Sequence, residues 1–201
     1  MKVLYLGLQA YDLVYKRMQQ FTELRGSVDE DELWVVEHFP VYTLGKSGGR
    51  EHLLYPPPHI PVVQTDRGGQ VTYHGPGQVV VYTLINFAQK LISVHELVNR
   101  IEEAILKTLE FYDVAASRES KGPGVYVNGK KIASLGLRIR RNYTYHGLSL
   151  NVDMDLAPFD YIHPCGHSNL KMTQLRDFVQ PCPKLQEVGA YLVEQLKLTL
   201  Q

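Results

Sequence analysis

Cysteine is scarce in this chain: Cys165 and Cys182 are the only two in 201 residues. Two thiols form one bridge at most, and without a Cys-x-x-Cys pair they do not give the usual zinc spacing. Long apolar runs are also missing. The N-terminal one, Val3 to Leu8, is soon interrupted by Asp12 and is too short for a secretory core, and nothing approaches membrane-spanning length. A cytoplasmic setting with both cysteines reduced is therefore expected. Net charge is absent, since 21 basic and 21 acidic side chains cancel, so bulk attraction to nucleic acid or an anionic membrane is not indicated. A P-loop is absent too. Gly45-Lys46-Ser47 looks like the end of one, but Pro40 stands where the motif needs its first glycine. There is no internal repeat or low-complexity segment, and the length suits one domain, residues 1–201, with a sizeable core.

What is present alternates between helical and strand-like spacing. Ala10, Leu13, Val14, Met18, Phe21 and Leu24 share one face of a helix expected between Gln9 and Arg25. Leu33 to Phe39 reads as a strand, and Tyr55-Pro56-Pro57-Pro58 cannot continue any regular element. Val62 to Thr65 and Val79 to Phe87 read as strands flanking a loop, Arg67 to Gln78, that holds four glycines. Ser93 and Glu96 form a capping box for a helix whose stripe is Val94, Leu97, Val98, Ile101, Ile105 and Leu109. Asn128-Gly129 marks a type I′ hairpin between Val125 to Val127 and Lys130 to Ala133. Leu135 to Ile139 and Tyr143 to Val152 read as further strands, and Leu185, Val188, Leu192, Leu196 and Leu200 mark a last helix. The fold class is α+β: a mixed, mostly antiparallel sheet flanked by helices.

The segment Ile162-His163-Pro164-Cys165-Gly166-His167 is the strongest chemical signal. Proline and glycine on either side restrict and then free the backbone, a geometry that presents the thiol outward. A buried, inert cysteine is the alternative. His74, His146, His163 and His167 are all candidate bases, because imidazole titrates near neutrality. His163, Cys165, His167 and Cys182 could instead gather zinc. The Arg67 to Gln78 loop either lines a pocket and offers N–H groups to an oxygen, or is an elaborate turn. Lys131, beside Lys130 after the Asn-Gly turn, reads by itself as a solvated charge. Arg138-Ile139-Arg140-Arg141 with Tyr143 and Tyr145 suits either single-stranded nucleic acid or a protected edge strand.

Four blocks occur in order: Arg67-Gly-Gly-Gln-Val-Thr-Tyr-His-Gly-Pro-Gly-Gln78, Gly129-Lys-Lys-Ile-Ala-Ser-Leu-Gly136, His146-Gly-Leu-Ser-Leu-Asn151 and Pro164-Cys-Gly166. Together they resemble the signature blocks of the lipoyl(octanoyl) transferases. The resemblance runs from Val62 to about Thr173 and is far more specific than a short motif. It implies the fold of the biotin and lipoate protein ligase catalytic domains. It also implies octanoyl transfer from acyl carrier protein to a lysine of a lipoyl domain, without metal or cofactor. Acceptors would be the lipoyl domains of 2-oxoacid dehydrogenase complexes and the glycine cleavage H protein, with no nucleic acid or membrane partner. The resemblance makes Cys165 the acyl acceptor and Lys131 its activator. It assigns the substrate pocket to Arg67, Gly68, Gly69, Gln70, Val71, Thr72, Tyr73 and His74, to Ser134, Leu135 and Gly136, and to Gly147, Leu148 and Ser149. Position 149 departs mildly, with Ser in place of the commoner alanine. The basic run Lys130, Lys131, Arg138, Arg140 and Arg141 is expected to dock the acidic carrier. The rival is an ATP-dependent lipoate or biotin ligase.

Overall fold

The computed structural model describes residues 1–26, 29–90, 92–119 and 122–201. Its main sheet holds six strands: β1 (Lys2–Gln9), β2 (Glu32–His38), β6 (Gln78–Leu84), β9 (Tyr143–Asn151), β8 (Lys130–Arg140) and β7 (Gly124–Val127), in that spatial order. Only the β1–β2 pair is parallel in this sheet. A smaller sheet places β3 (Val41–Leu44) between β4 (Val62–Gln64), parallel to it, and β5 (Val71–His74), antiparallel.

Period-two alternation gives the main sheet two different faces. Leu33, Val79, Val81, Leu148 and Leu150 point to one side, where α2 (Val94–Phe111) and α3 (Leu185–Thr199) supply Leu97, Ile101, Ile105, Leu192 and Leu196. Trp34, Val36, Val80, Tyr82 and Tyr145 point to the other and meet Val14 and Met18 of α1 (Tyr11–Leu24). A third cluster, with Tyr42, Val71, Tyr73 and Phe159, belongs to the small sheet.

The expected helices all form, and Ser93 accepts from the Glu96 N–H at the start of α2. The Asn-Gly hairpin forms with positive φ at both turn residues, 50° and 75°. Three strand features differ from expectation. The Val3 to Leu8 run is strand β1, pairing at the sheet edge with β2. Val41–Leu44 is a strand that the sequence reading did not include. The Arg67 to Gln78 block is not a loop throughout, because its middle forms β5 against β3. The strands flanking it, β4 and β6, consequently lie in different sheets.

Candidate active site

Lys131 reaches the site because of a defect in the sheet. Val125 pairs with Ala133 but Tyr126 pairs with Lys131, leaving Ile132 as an extra residue in β8. Such a bulge re-aims side chains. Backbone groups of the 171–173 segment complete the local bonding: Lys131 N–H donates to Lys171 O, and Thr173 N–H donates to Lys131 O. The Lys131 side chain is only 1% exposed, so the solvated-charge expectation for this lysine does not hold. Its ammonium donates to Pro123 O at 2.9 Å and to Cys165 Sγ at 3.3 Å, and lies 5.3 Å from the Tyr126 ring centroid.

Cys165 sits in a short turn, Pro164–Gly166, with φ 54° and ψ 19°. A left-handed conformation is uncommon for a residue with a Cβ and marks a backbone held by its surroundings. Here the turn is tied by Gly166 N–H to His163 O, by His167 N–H to Pro164 O and by His163 N–H to His52 O. None of the four candidate imidazoles bonds to the thiol among the described hydrogen bonds; Lys131 does. Among the described residues, no three His, Cys, Asp or Glu side chains gather in a metal-binding arrangement.

A cavity opens beside Cys165, between the α1-facing side of the main sheet and the small sheet. Of the expected pocket residues, Arg67, Gly69, Gln70, Val71, Thr72 and His74 line it from the Gly-rich block. Ser134, Leu135 and Gly136 line it from β8, and Gly147, Leu148 and Ser149 from β9. Gly68 and Tyr73 stand outside the wall. Gly68 N–H donates to Leu137 O at 2.9 Å, and the Tyr73 ring packs on Tyr42 and Phe159. A Cβ on Gly136 would come within 2.9 Å of Gly68 O, so a side chain there would push the Gly-rich block off β8. Tyr11, Val80, Tyr82 and His146 also line the cavity. Of these, only His146 was marked from sequence, as a candidate base.

Arg67 is a buried cation at 8% exposure. Its guanidinium donates to Thr43 O, Thr43 Oγ1, Gln70 O and Gly68 O, all neutral acceptors. Desolvation pulls its pKa below the usual arginine value, opposed by its electrostatic interactions with Tyr11, Cys165 and Tyr82. Its positive charge is thus available to an anion in the cavity.

His146 occupies a position on β9 that strict alternation would turn toward α2, with Leu148 and Leu150. Its φ of 60° breaks the alternation. Consecutive residues Tyr145 and His146 therefore reach the same carboxylate, Asp66, which Tyr15 also bonds at 2.8 Å. Burial would raise the Asp66 pKa, but the hydrogen bonds from His146, Tyr145 and Tyr15 together hold it well below the usual carboxylate range. Burial pushes the His146 pKa down despite that carboxylate, so near neutrality its ring is neutral. With Nε2–H donated to Asp66 at 3.0 Å, Nδ1 keeps its lone pair, buried and without a partner among the described residues.

Within the basic run, Lys131 is not available at the surface. Lys131 is buried at the thiol, while Arg140 and Arg141 both pair with Glu23 of α1, at 2.5 and 3.8 Å. Among the described residues, the Arg-rich half of β8 beyond β7 has only β9 as a strand partner, which places it at an edge of the sheet.

The family described as "Lipoyl protein ligase A/B catalytic domain" matches residues 13–197. An octanoyltransferase of Pseudomonas entomophila is 57% identical over 191 residues, 95% of this chain and 88% of its own. One of Neisseria meningitidis serogroup C is 53% identical over 197 residues, 98% and 95% of the two chains. Among solved structures, the bipartite lipoate protein ligase of Thermoplasma acidophilum superposes with TM-score 0.79 at 16% identity, covering 99% of this chain and 83% of that one. Biotin protein ligase from Aquifex aeolicus gives TM-score 0.65 at 12% identity, covering 99% and 70%. The ligases show the shared fold, and the chain belongs to the lipoyl protein ligase A/B catalytic domain family, within it to the octanoyltransferases, which makes it an acyltransferase.

Proposed function

We propose that this protein moves an octanoyl group from octanoyl-acyl carrier protein to a lysine of a lipoyl domain, through a thioester on Cys165. The observation that carries the reading is the 3.3 Å contact between the Lys131 ammonium and Cys165 Sγ at the edge of the cavity. A thiolate is the reactive form of cysteine, and an adjacent cation favours it by direct charge attraction. Two buried or partly buried cations serve here: Lys131, and Arg67 in the cavity wall.

The thiolate attacks the carrier thioester, and backbone N–H groups of the Gly-rich block or the Cys165 turn stabilise the tetrahedral oxyanion. The carrier sulfur leaves and takes a proton from Lys131. A neutral amine of the acceptor domain then attacks the acyl-cysteine; its carbon–nitrogen bond forms as the carbon–sulfur bond breaks. The released proton returns to Lys131, restoring the starting pair. Exchange between thioesters is nearly balanced and amide formation is downhill, so neither step draws on ATP. The eight-carbon tail lies in the cavity, where burial contributes about 0.8 kcal/mol per CH₂ and so favours a chain of matching length. Acceptors of this chemistry are the lipoyl domains of 2-oxoacid dehydrogenase complexes and the glycine cleavage H protein, and the compartment is the cytoplasm.

Intact-protein mass spectrometry after mixing with octanoyl carrier protein, without nucleotide, tests this. A hydroxylamine-labile octanoyl adduct that is absent from Cys165→Ala is expected. An adduct that forms only with free octanoate and ATP would overturn the reading in favour of a ligase.

A further inference from the structure

The ammonium of Lys131 rests on a single peptide group whose other end is held by a buried carboxylate. Pro123 O accepts from Lys131 Nζ at 2.9 Å, and the N–H of that same amide, at Gly124, donates to Glu102 Oε1 at 2.7 Å. Glu102 lies on α2 and is only 5% exposed, facing Arg118 Nε at 3.1 Å. Gly124 has φ 143°, and a Cβ there would stand 2.4 Å from Lys131 Cε, so the peptide and the lysine stem share a space with no spare volume. A carboxylate bonded to the N–H end of an amide polarises it, adding negative character to the oxygen. The same bond fixes the direction in which that oxygen points.

We propose that Glu102 is a positioning residue for the transfer: acting through the Pro123–Gly124 amide, it holds the Lys131 ammonium against Cys165 Sγ. The proposal rests on the reading of Cys165 and Lys131 as the reacting pair. Among the described residues, the charged and titratable groups around this line are Arg118 at Glu102, the Tyr126 ring at Lys131, and Arg67 in the wall of the cavity that Cys165 also lines. Arg118 also pairs with Glu103, which is 43% exposed, so Glu103 provides a carboxylate control on the same helix.

The test is the rate of iodoacetamide alkylation of Cys165 in the full chain across pH, read by mass spectrometry with Cys182 as internal reference, alongside octanoyl-adduct formation. Glu102→Gln keeps an acceptor of the same shape and removes the charge. It should slow Cys165 alkylation at neutral pH about tenfold, with the rate recovering as pH rises, while melting stays cooperative. Glu103→Gln should remain within about twofold of the parent. In the Lys131→Ala background, Glu102→Gln should add no further loss, since its effect passes through that lysine. A full additional loss in the double variant, an unchanged rate in Glu102→Gln, or an equal loss in Glu103→Gln would overturn the inference while leaving the Cys165–Lys131 pair intact. An unchanged rate in Lys131→Ala alone would instead remove the pair, and the inference with it.

Discussion

Valine occupies positions 79, 80 and 81 of β6, yet alternate members of that run serve different halves of the molecule. Val79 and Val81 meet Leu97, Ile101, Leu192 and Leu196 in an aliphatic layer under α2 and α3. Val80 faces Tyr82, Trp34, Tyr145 and the cavity, among buried histidines, an arginine and a tyrosine-bound aspartate. One side of a single sheet supplies most of the non-directional burial energy. The other side carries polar groups, most of them hydrogen-bonded or lining the cavity, which is what makes their burial tolerable. The aliphatic core and the candidate site are divided between the two faces at a spacing of one residue.

Substitutions on the two sides should therefore fail in different ways. The largest effect belongs to the cavity side: Cys165→Ala should abolish octanoyl transfer while leaving the melting temperature almost unchanged, and residual turnover near the parental level would break the division. Lys131→Ala should slow adduct formation by on the order of a hundredfold or more, the range for loss of a positioned acid–base group. Lys130→Ala, at the exposed turn, should not. On the opposite face, Leu192→Ala should cost about 2–5 kcal/mol of stability in urea unfolding, with activity per folded molecule retained. Equal damage to turnover and stability there would show that the faces are coupled.

Acid supplies a smaller and more graded test. Burial lowers the pKa of His38 from 6.5 to about 4, against the Gln9 carbonyl bond that raises it. Burial likewise takes His74 from 6.5 to about 3, helped by the charge of His38 and opposed by Gln78. Between those values and 6.5 the unfolded chain binds protons that the folded chain refuses. Their contribution is thus complete above about pH 6.5 and is lost as pH falls toward 4 and then 3. Each histidine should cost about 1.4 kcal/mol per pH unit in its window. Chemical denaturation from pH 7 to 4 should show this slope, and His74→Gln should remove its share. A flat profile would mean that these rings take up protons in the folded state.

The smallest expected effect is at the second thiol. Cys182 donates weakly to Val152 O at 3.8 Å, and burial followed by the charge of Asp153 raises its pKa. Cys182→Ala should keep the octanoyl adduct, and its alkylation at neutral pH should lag well behind that of Cys165. Comparable labelling of the two would erase the contrast that the lysine creates.

Much of this was legible from residue order. Helix spacing from Ala10 to Leu24 and from Val94 to Leu109, the Asn128-Gly129 turn and the Pro-Cys-Gly block each depend on a few neighbouring residues, where dihedral preference and periodicity act directly. Less legible were β1 and β3, short segments whose strand state depends on distant partners, and the division of the strands into two sheets. The expectation for Lys131 taken alone also failed, because proximity to a turn gives no information on a bulge one residue later.

The sequence by itself determined which segments coil or extend, and it placed a thiol, a lysine and a glycine-rich block in a recognisable order. Only the tertiary structure decided that the lysine meets the sulfur, that His146 abandons its alternation to join Tyr145 on Asp66, and that Glu102 grips the far end of the amide under Lys131. The physical reason is range. Backbone preference is set within a few residues, whereas the direction of a buried side chain depends on register, bulges and left-handed residues that are stable only when the whole sheet is in place.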